Sequence, residues 1–371
     1  MPERIKSSIS SVKLPGQSLR HSPKRFVVAT YEVKTDNLTK AATAIARGQS
    51  IGNPTISALG ESQELVDTYC AKIRYLAEDR IEIYYPKTNF GREGINYLMS
   101  VLMGGQCDID LIRSCKLVNA DFTALSKRLH GPQFGIDGIR NITEAYNRPL
   151  IGAIIKPKIG IPPQKVADIA KQMADGGADF IKEDEILADQ RWCLMKRRIP
   201  LIAKALQGYK TIYAACITGD GNEPVRKAKL AKNLGAGAVH LNIWASLGAY
   251  REVRERVHLP LFFQKSGDKV WTTGPYSIDF KVICKLVNMI GCDFAHVGMY
   301  GGYMAEPLEE LRQRMKALGN TVPSFSCGVK PEHVPKLREL FGNDIMITSG
   351  GYVCGHPKGI TQAVKEFRNQ L

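Results

Sequence analysis

The sequence predicts an α/β protein: a closed (β/α)8 barrel preceded by a small α+β domain. Short apolar runs rich in Ile, Val, Ala and Phe recur roughly every 25 to 35 residues after Arg148-Pro149, separated by amphipathic stretches, which is the rhythm of βα repetition. Strand candidates begin near Leu150, Ala178, Thr211, Ala238, Leu259, Cys292, Val322 and Asp344. Eight such units in about 220 residues suit a barrel better than an open doubly wound sheet. Upstream of Arg148 that rhythm is absent, and strand-like and helical patterns alternate irregularly.

Three segments follow in chain order. Residues 1–25 are basic and serine-rich, with Glu3 the only acid, and read as a flexible N-terminal tail. Residues 26–146 form the α+β domain. Its strand candidates are Phe26-Val27-Val28-Ala29-Thr30-Tyr31 and Arg80-Ile81-Glu82-Ile83-Tyr84-Tyr85, the latter alternating with period two and ending at Pro86. Residues 147–371 form the barrel. Between its first two strands Pro162-Pro163 opens a helix with Val166, Ile169, Ala170 and Met173 on one face, closed by Gly176-Gly177.

The 371 residues carry 51 Lys and Arg against 36 Asp and Glu, a net charge of +15 that favours anionic partners such as phosphorylated metabolites. The basic residues are dispersed with no aromatic-interleaved basic motif, which argues against nucleic acid as a partner. Nine cysteines are scattered without a C-x-x-C pair, and an odd count fits a reducing, cytoplasmic compartment better than a disulfide framework. No apolar run approaches the ~20 residues of a membrane span.

A barrel gathers its chemistry at the C-terminal ends of its strands. The first candidate strand ends Ile154-Ile155-Lys156-Pro157-Lys158, where spacing of two places both lysines on one face. Their mutual repulsion suits proton transfer or an anion clamp, though two solvated rim lysines would look the same. The second ends Phe180-Ile181-Lys182-Glu183-Asp184-Glu185, with Lys182 and Asp184 on one face and Glu185 next. Asp184 and Glu185 offer hard oxygen ligands for Mg²⁺. Lys182 is either their ion-pair partner or, after its neutral amine captures CO2, a carbamate supplying a third anionic oxygen.

Gly176-Gly177-Ala178-Asp179-Phe180-Ile181-Lys182-Glu183-Asp184-Glu185, preceded by Gly152-Ala153-Ile154-Ile155-Lys156-Pro157-Lys158-Ile159-Gly160, resembles the two signature segments of the RuBisCO large-subunit family. Leu129-His130-Gly131-Pro132-Gln133-Phe134-Gly135-Ile136 is similar to its approach to the barrel. Asp293-Phe294-Ala295-His296-Val297-Gly298 resembles its sixth strand, and Gly350-Gly351-Tyr352-Val353-Cys354-Gly355-His356-Pro357 its eighth. The resemblance spans most of residues 26–360. It implies a TIM barrel behind a ferredoxin-like domain, and a homodimer with active sites at the subunit interface. It further implies carbamylated Lys182 sharing one Mg²⁺ with Asp184 and Glu185, proton transfer by Lys156 and Lys158, and backbone N–H groups of Gly328, Gly350 and Gly351 on a substrate phosphate. Those glycines also fit tight βα turns.

The chain departs from the carboxylating pattern at several positions. Tyr303 stands where a loop lysine orients CO2, Gly48 replaces a glutamate and Gly105 an asparagine. Gln264 replaces a histidine, and Lys265 stands where an arginine would hold a second phosphate. His296 and Ser326 survive from that second site, although a histidine at a strand end is often a core residue. The pattern resembles form IV, the RuBisCO-like proteins. It implies Mg²⁺-dependent enolisation or isomerisation of a keto-sugar-type phosphate, as in methionine and methylthioadenosine salvage, without productive CO2 fixation. Decarboxylation or hydrolysis of a β-keto sugar-acid phosphate, and a non-catalytic scaffold, are the alternatives.

Overall fold

The computed structural model describes residues 24–52, 60–128 and 131–371. The basic tail through residue 23, and Leu129-His130 of the barrel-approach motif, lie outside the described residues. The described residues fall into two compact units, those from 24 to 128 with 269–282, and those from 131 to 268 with 283–371.

In the first unit β1 (Phe26–Lys34), β2 (Lys72–Tyr75), β3 (Arg80–Pro86) and β4 (Ser114–Asp121) form an antiparallel sheet in the order β4-β1-β3-β2. Helices Leu38–Gly48 and Ile95–Leu102 follow β1 and β3, giving the βαββαβ order of a ferredoxin-like sheet. Asn37 starts the first of these helices, its side chain accepting from the Lys40 N–H at 2.9 Å. Alternation buries Val27, Ala29, Tyr31 and Val33 of β1 together with Ile81, Ile83 and Tyr85 of β3.

The second unit is a closed parallel barrel. Its strands are β5 (Leu150–Ile154), β6 (Phe180–Lys182), β7 (Ile212–Cys216), β8 (Ala238–Asn242) and β9 (Leu261–Gln264). After β10 (Tyr276–Ile278) come β11 (Phe294–Gly298), β12 (Val322–Phe325) and β13 (Met346–Ser349). β11 pairs with β9 and β13 with β5, which closes the ring. The expected helix after β5 runs Pro163–Asp175 and buries Val166, Ile169, Ala170 and Met173.

Two boundaries differ from the sequence reading. Residues 131–146 belong with the barrel because helix Gly135–Thr143 packs Ile139, and the following Ala145, into the cluster formed by Leu150, Phe180, Phe262, Phe294 and Met346. Asp293 fastens that plug, accepting from the Phe134 and Gly135 N–H groups at 2.6 and 3.0 Å and from Leu261 N–H at 2.9 Å. Residues 269–282 leave the barrel rhythm, since β10 pairs in parallel with β4 of the first unit's sheet. All nine cysteines are free thiols, most of them buried. No helix among the described residues is long and apolar enough to cross a membrane.

Alternation along β6 decides which groups reach the barrel interior. Phe180 and Lys182 point inward, and Glu183 turns outward to Arg198 on helix Met195–Ala205. The guanidinium grips the carboxylate with two bonds of 2.6 and 2.9 Å, Tyr213 and the Cys216 N–H add further bonds, and both charged side chains are fully buried. Removing one partner strands the other charge without water, so Arg198→Leu is expected to lower unfolding free energy by about 3–5 kcal/mol in urea titration.

Candidate active site

The C-terminal ends of the barrel strands enclose a cavity of about 500 Å³. Lys156 and Lys158 beyond β5, Asp184 and Glu185 beyond β6, Gln264 and Ser266 at β9, His296 of β11, Ser326 and Gly328 beyond β12, and Gly350 and Gly351 beyond β13 all line it. Phe180, Phe262 and Phe294, in the barrel core and not in the cavity lining, pack with ring centroids 4.7 to 6.0 Å apart.

Lys182 is fully buried beside that core and is not on the cavity wall. Its Nζ donates to the Glu183 carbonyl at 3.1 Å and sits 5.5 Å from the Phe262 ring centre. Burial is the largest influence on the ammonium and pushes its pKa down. Glu185 and Asp184 pull it back up, and Lys156 reinforces the fall. Neither carboxylate forms a direct ion pair with it among the described residues, because each has another partner. Asp184, 1% exposed, pairs with Lys156. Glu185 accepts from Ser266 Oγ at 2.9 Å. Burial raises the Glu185 pKa, but Lys182, hydrogen bonds and Lys158 outweigh it and hold the group at about 2.

His296 is buried, with Nδ1 3.1 Å from Ser326 Oγ and its ring edge-on to Phe262 at 4.7 Å. Burial and then the Lys182 charge lower its pKa to about 3. Gly351 has open space where a side chain would begin, while a Cβ on Gly350 would lie 3.2 Å from both Ile154 and Lys156. Gly328 is backed by Tyr303, whose ring carbon would be 2.6 Å from an added Cβ. Tyr303 itself is 80% exposed.

Lys265 corrects the sequence reading. It is absent from the cavity lining, and its buried Nζ is held by Asp268 at 3.2 Å and Glu306 at 3.7 Å. The residue next to Gln264 faces away from it, so only one of the two can look into the barrel. Sequence reasoning also missed Ser266 as the Glu185 partner and the Glu183–Arg198 pair. Two residues beyond Gln264 is the same-face position, a signal that was available for Ser266.

The donor set fits a magnesium ion. Among the described residues no group of three or more His, Cys, Asp or Glu side chains is gathered around one point. Asp184 and Glu185 are the one or two carboxylates such an ion usually takes, with water and substrate filling the rest. A buried lysine driven toward its neutral amine can add a third anionic oxygen by reaction with CO2, forming an N–C bond and releasing a proton.

Comparison with known proteins agrees with this geometry. The catalytic-domain family model of the ribulose bisphosphate carboxylase large chain matches residues 135–311. Over 370 residues the chain is 32% identical to a 2,3-diketo-5-methylthiopentyl-1-phosphate enolase of Bacillus velezensis, covering 92% of this chain and 91% of that protein. It is 28% identical over 372 residues to a ribulose bisphosphate carboxylase of Methanosarcina barkeri, covering 90% and 86%. The octameric ribulose-1,5-bisphosphate carboxylase/oxygenase of Pyrococcus horikoshii, solved with sulfate, superposes with a TM-score of 0.86 at 26% identity, covering 95% of this chain and 88% of that one. The chain belongs to the RuBisCO large-chain family. Within it, this is a RuBisCO-like protein.

The depressed His296 pKa has a consequence for stability. In the unfolded chain a histidine takes up a proton near its ordinary pKa of about 6.5, whereas the folded ring resists until about pH 3. The unfolded state thus binds more protons between those values, and stability falls as pH drops below 6.5. His296→Gln should flatten that slope in denaturant titrations at pH 4 to 7, and the His296 ring signals should not move between pH 5 and 8 by NMR.

Proposed function

We propose that the protein catalyses Mg²⁺-dependent abstraction of a proton α to the carbonyl of a phosphorylated keto-sugar-type compound, with the enol as product or intermediate. The observation that carries this reading is the convergence of Lys156, Lys158, Asp184 and Glu185 with Gly350 and Gly351 around one cavity. Asp184, Glu185 and carbamylated Lys182 would hold the metal, which when bound supplies a Lewis acid for the substrate carbonyl. The substrate phosphate binds at the backbone of Gly350 and Gly351, with Gly328 nearby, where a carbonyl-to-phosphate span puts the reacting carbon beside the two lysines. One of Lys156 and Lys158 takes the proton, and the other stabilises the developing charge on oxygen.

Asp184 has a second task in this reading. Its carboxylate is paired with Lys156 and holds that side chain at the cavity wall. Carboxylation is disfavoured because Tyr303 offers no positive charge to an added CO2. The name of the Bacillus velezensis relative supports enolisation of a keto phosphate. The octameric Pyrococcus horikoshii relative supports self-assembly, proposed here as a homodimer with sites at the subunit interface, in the cytoplasm.

Solvent deuterium uptake tests the reaction. A 2-pentulose 1-phosphate incubated with the protein, Mg²⁺ and bicarbonate in D2O should gain deuterium beside its carbonyl without CO2 release. Lys182→Ala should slow uptake at least about 100-fold, and calorimetry should find its Mg²⁺ affinity lower by about tenfold or more. No exchange with any keto-sugar phosphate, together with equal Mg²⁺ affinity in the variant, contradicts the proposal. CO2 release from a β-keto sugar-acid phosphate would instead favour decarboxylation.

A further inference from the structure

His240 of β8 is fully buried, and neither of its ring nitrogens has a hydrogen-bond partner among the described residues. A buried imidazole normally has one, because even the neutral ring carries an N–H and a lone pair. His296, also inside the barrel, is bonded through Ser326. His240 thus marks a place that a further polar group completes.

Its surroundings show which group. β6, β7 and β8 are adjacent in the ring, with Lys182 in register with Ala214 and Ala214 in register with Ala238. His240 follows Ala238 by two residues and shares its face of the strand. Ala214, between the lysine and the histidine, has no side chain long enough to separate them. Phe262 lies against both, its ring centre 5.5 Å from Lys182 Nζ and 6.5 Å from the centre of the His240 ring. Burial, then the charges of Lys182, His296 and Arg198, push the His240 pKa well down. The Glu183 carbonyl opposes that fall, and the same carbonyl accepts from Lys182 Nζ at 3.1 Å, so it serves both groups. On its other side Lys182 is in register with Ile154 of β5.

We propose that His240 is a positioning residue for the carbamate of Lys182: a ring N–H donates to one carbamate oxygen and leaves the other to the cation. The inference rests on the carbamate reading above. Carbamate formation joins Nζ to the carbon of CO2, spreads the negative charge over two oxygens and releases one proton to the buffer. Ile154, Ala214 and Phe262 have no side-chain donor for those oxygens, and the His240 ring has one that nothing else uses. An anion buried without a donor is costly, and a hydrogen bond to a charged acceptor is among the stronger ones.

Carbon-13 NMR of the full chain, titrated with carbon-13 bicarbonate at fixed Mg²⁺, tests this through the bicarbonate concentration at which half the carbamate has formed. His240→Phe, which keeps a ring and removes both nitrogens, should raise that concentration at least about tenfold. His240→Gln, which keeps an N–H, should return it to within about threefold of wild type. A second readout needs no His240 variant: in the nitrogen-15-labelled wild type the His240 ring signals should move as the carbamate forms, and stay in place in Lys182→Met. Equal carbamate formation in His240→Phe with native circular dichroism, or ring signals that do not respond to the carbamate, overturns the assignment and leaves the carbamate standing. Ring signals that move as far in Lys182→Met mean a bound ion or water only, and overturn it too. No carbamate in the wild type overturns both.

Discussion

A lysine withdrawn from water without a carboxylate in contact is costly to keep charged, and Lys182 is held in that condition by the barrel itself. Phe262 lies beneath its amine, Asp184 is taken by Lys156, and Glu185 is taken by Ser266. The relief open to such a group is loss of its proton. A neutral amine is the form that combines with CO2, so the packing that destabilises the ammonium also prepares the chemistry proposed for the metal site.

The rest of the site follows from how β6 is made. Its inward residues rise from Phe180 through Lys182 to Asp184, from apolar floor to acidic rim, while Glu183 between them is locked outside the barrel by Arg198. That outer pair is rigid and satisfied on every side, so it fixes the direction in which its neighbours point. Two strands along the ring from β6, beyond β13, Gly351 has open space where a side chain would begin. The carboxylates and the proposed phosphate contacts thus lie on different strands of one ring.

Much of this was legible in the sequence because parallel barrel strands are buried on both faces and read as short apolar runs. Phe294 and Met346 begin strands within two residues of the expected Cys292 and Asp344. The lysine and carboxylate positions were equally readable, since period two and strand ends together place them. What escaped depends on contacts distant in sequence. Residues 129–146 look like the end of one domain until Ile139 is seen filling the base of the other. Within residues 269–282, Tyr276–Ile278 is a strand that pairs with β4, distant in sequence. Lys265 looked like a phosphate contact, although Asp268 three residues on and the distant Glu306 hold it.

The most direct measurement is carbon-13 NMR of the protein equilibrated with Mg²⁺ and carbon-13 bicarbonate. One carbamate carbon resonance per chain, present in the wild type and missing from a folded Lys182→Met variant, is the expected result. No such resonance in the wild type, or an unchanged one in Lys182→Met, would contradict the role assigned to this lysine.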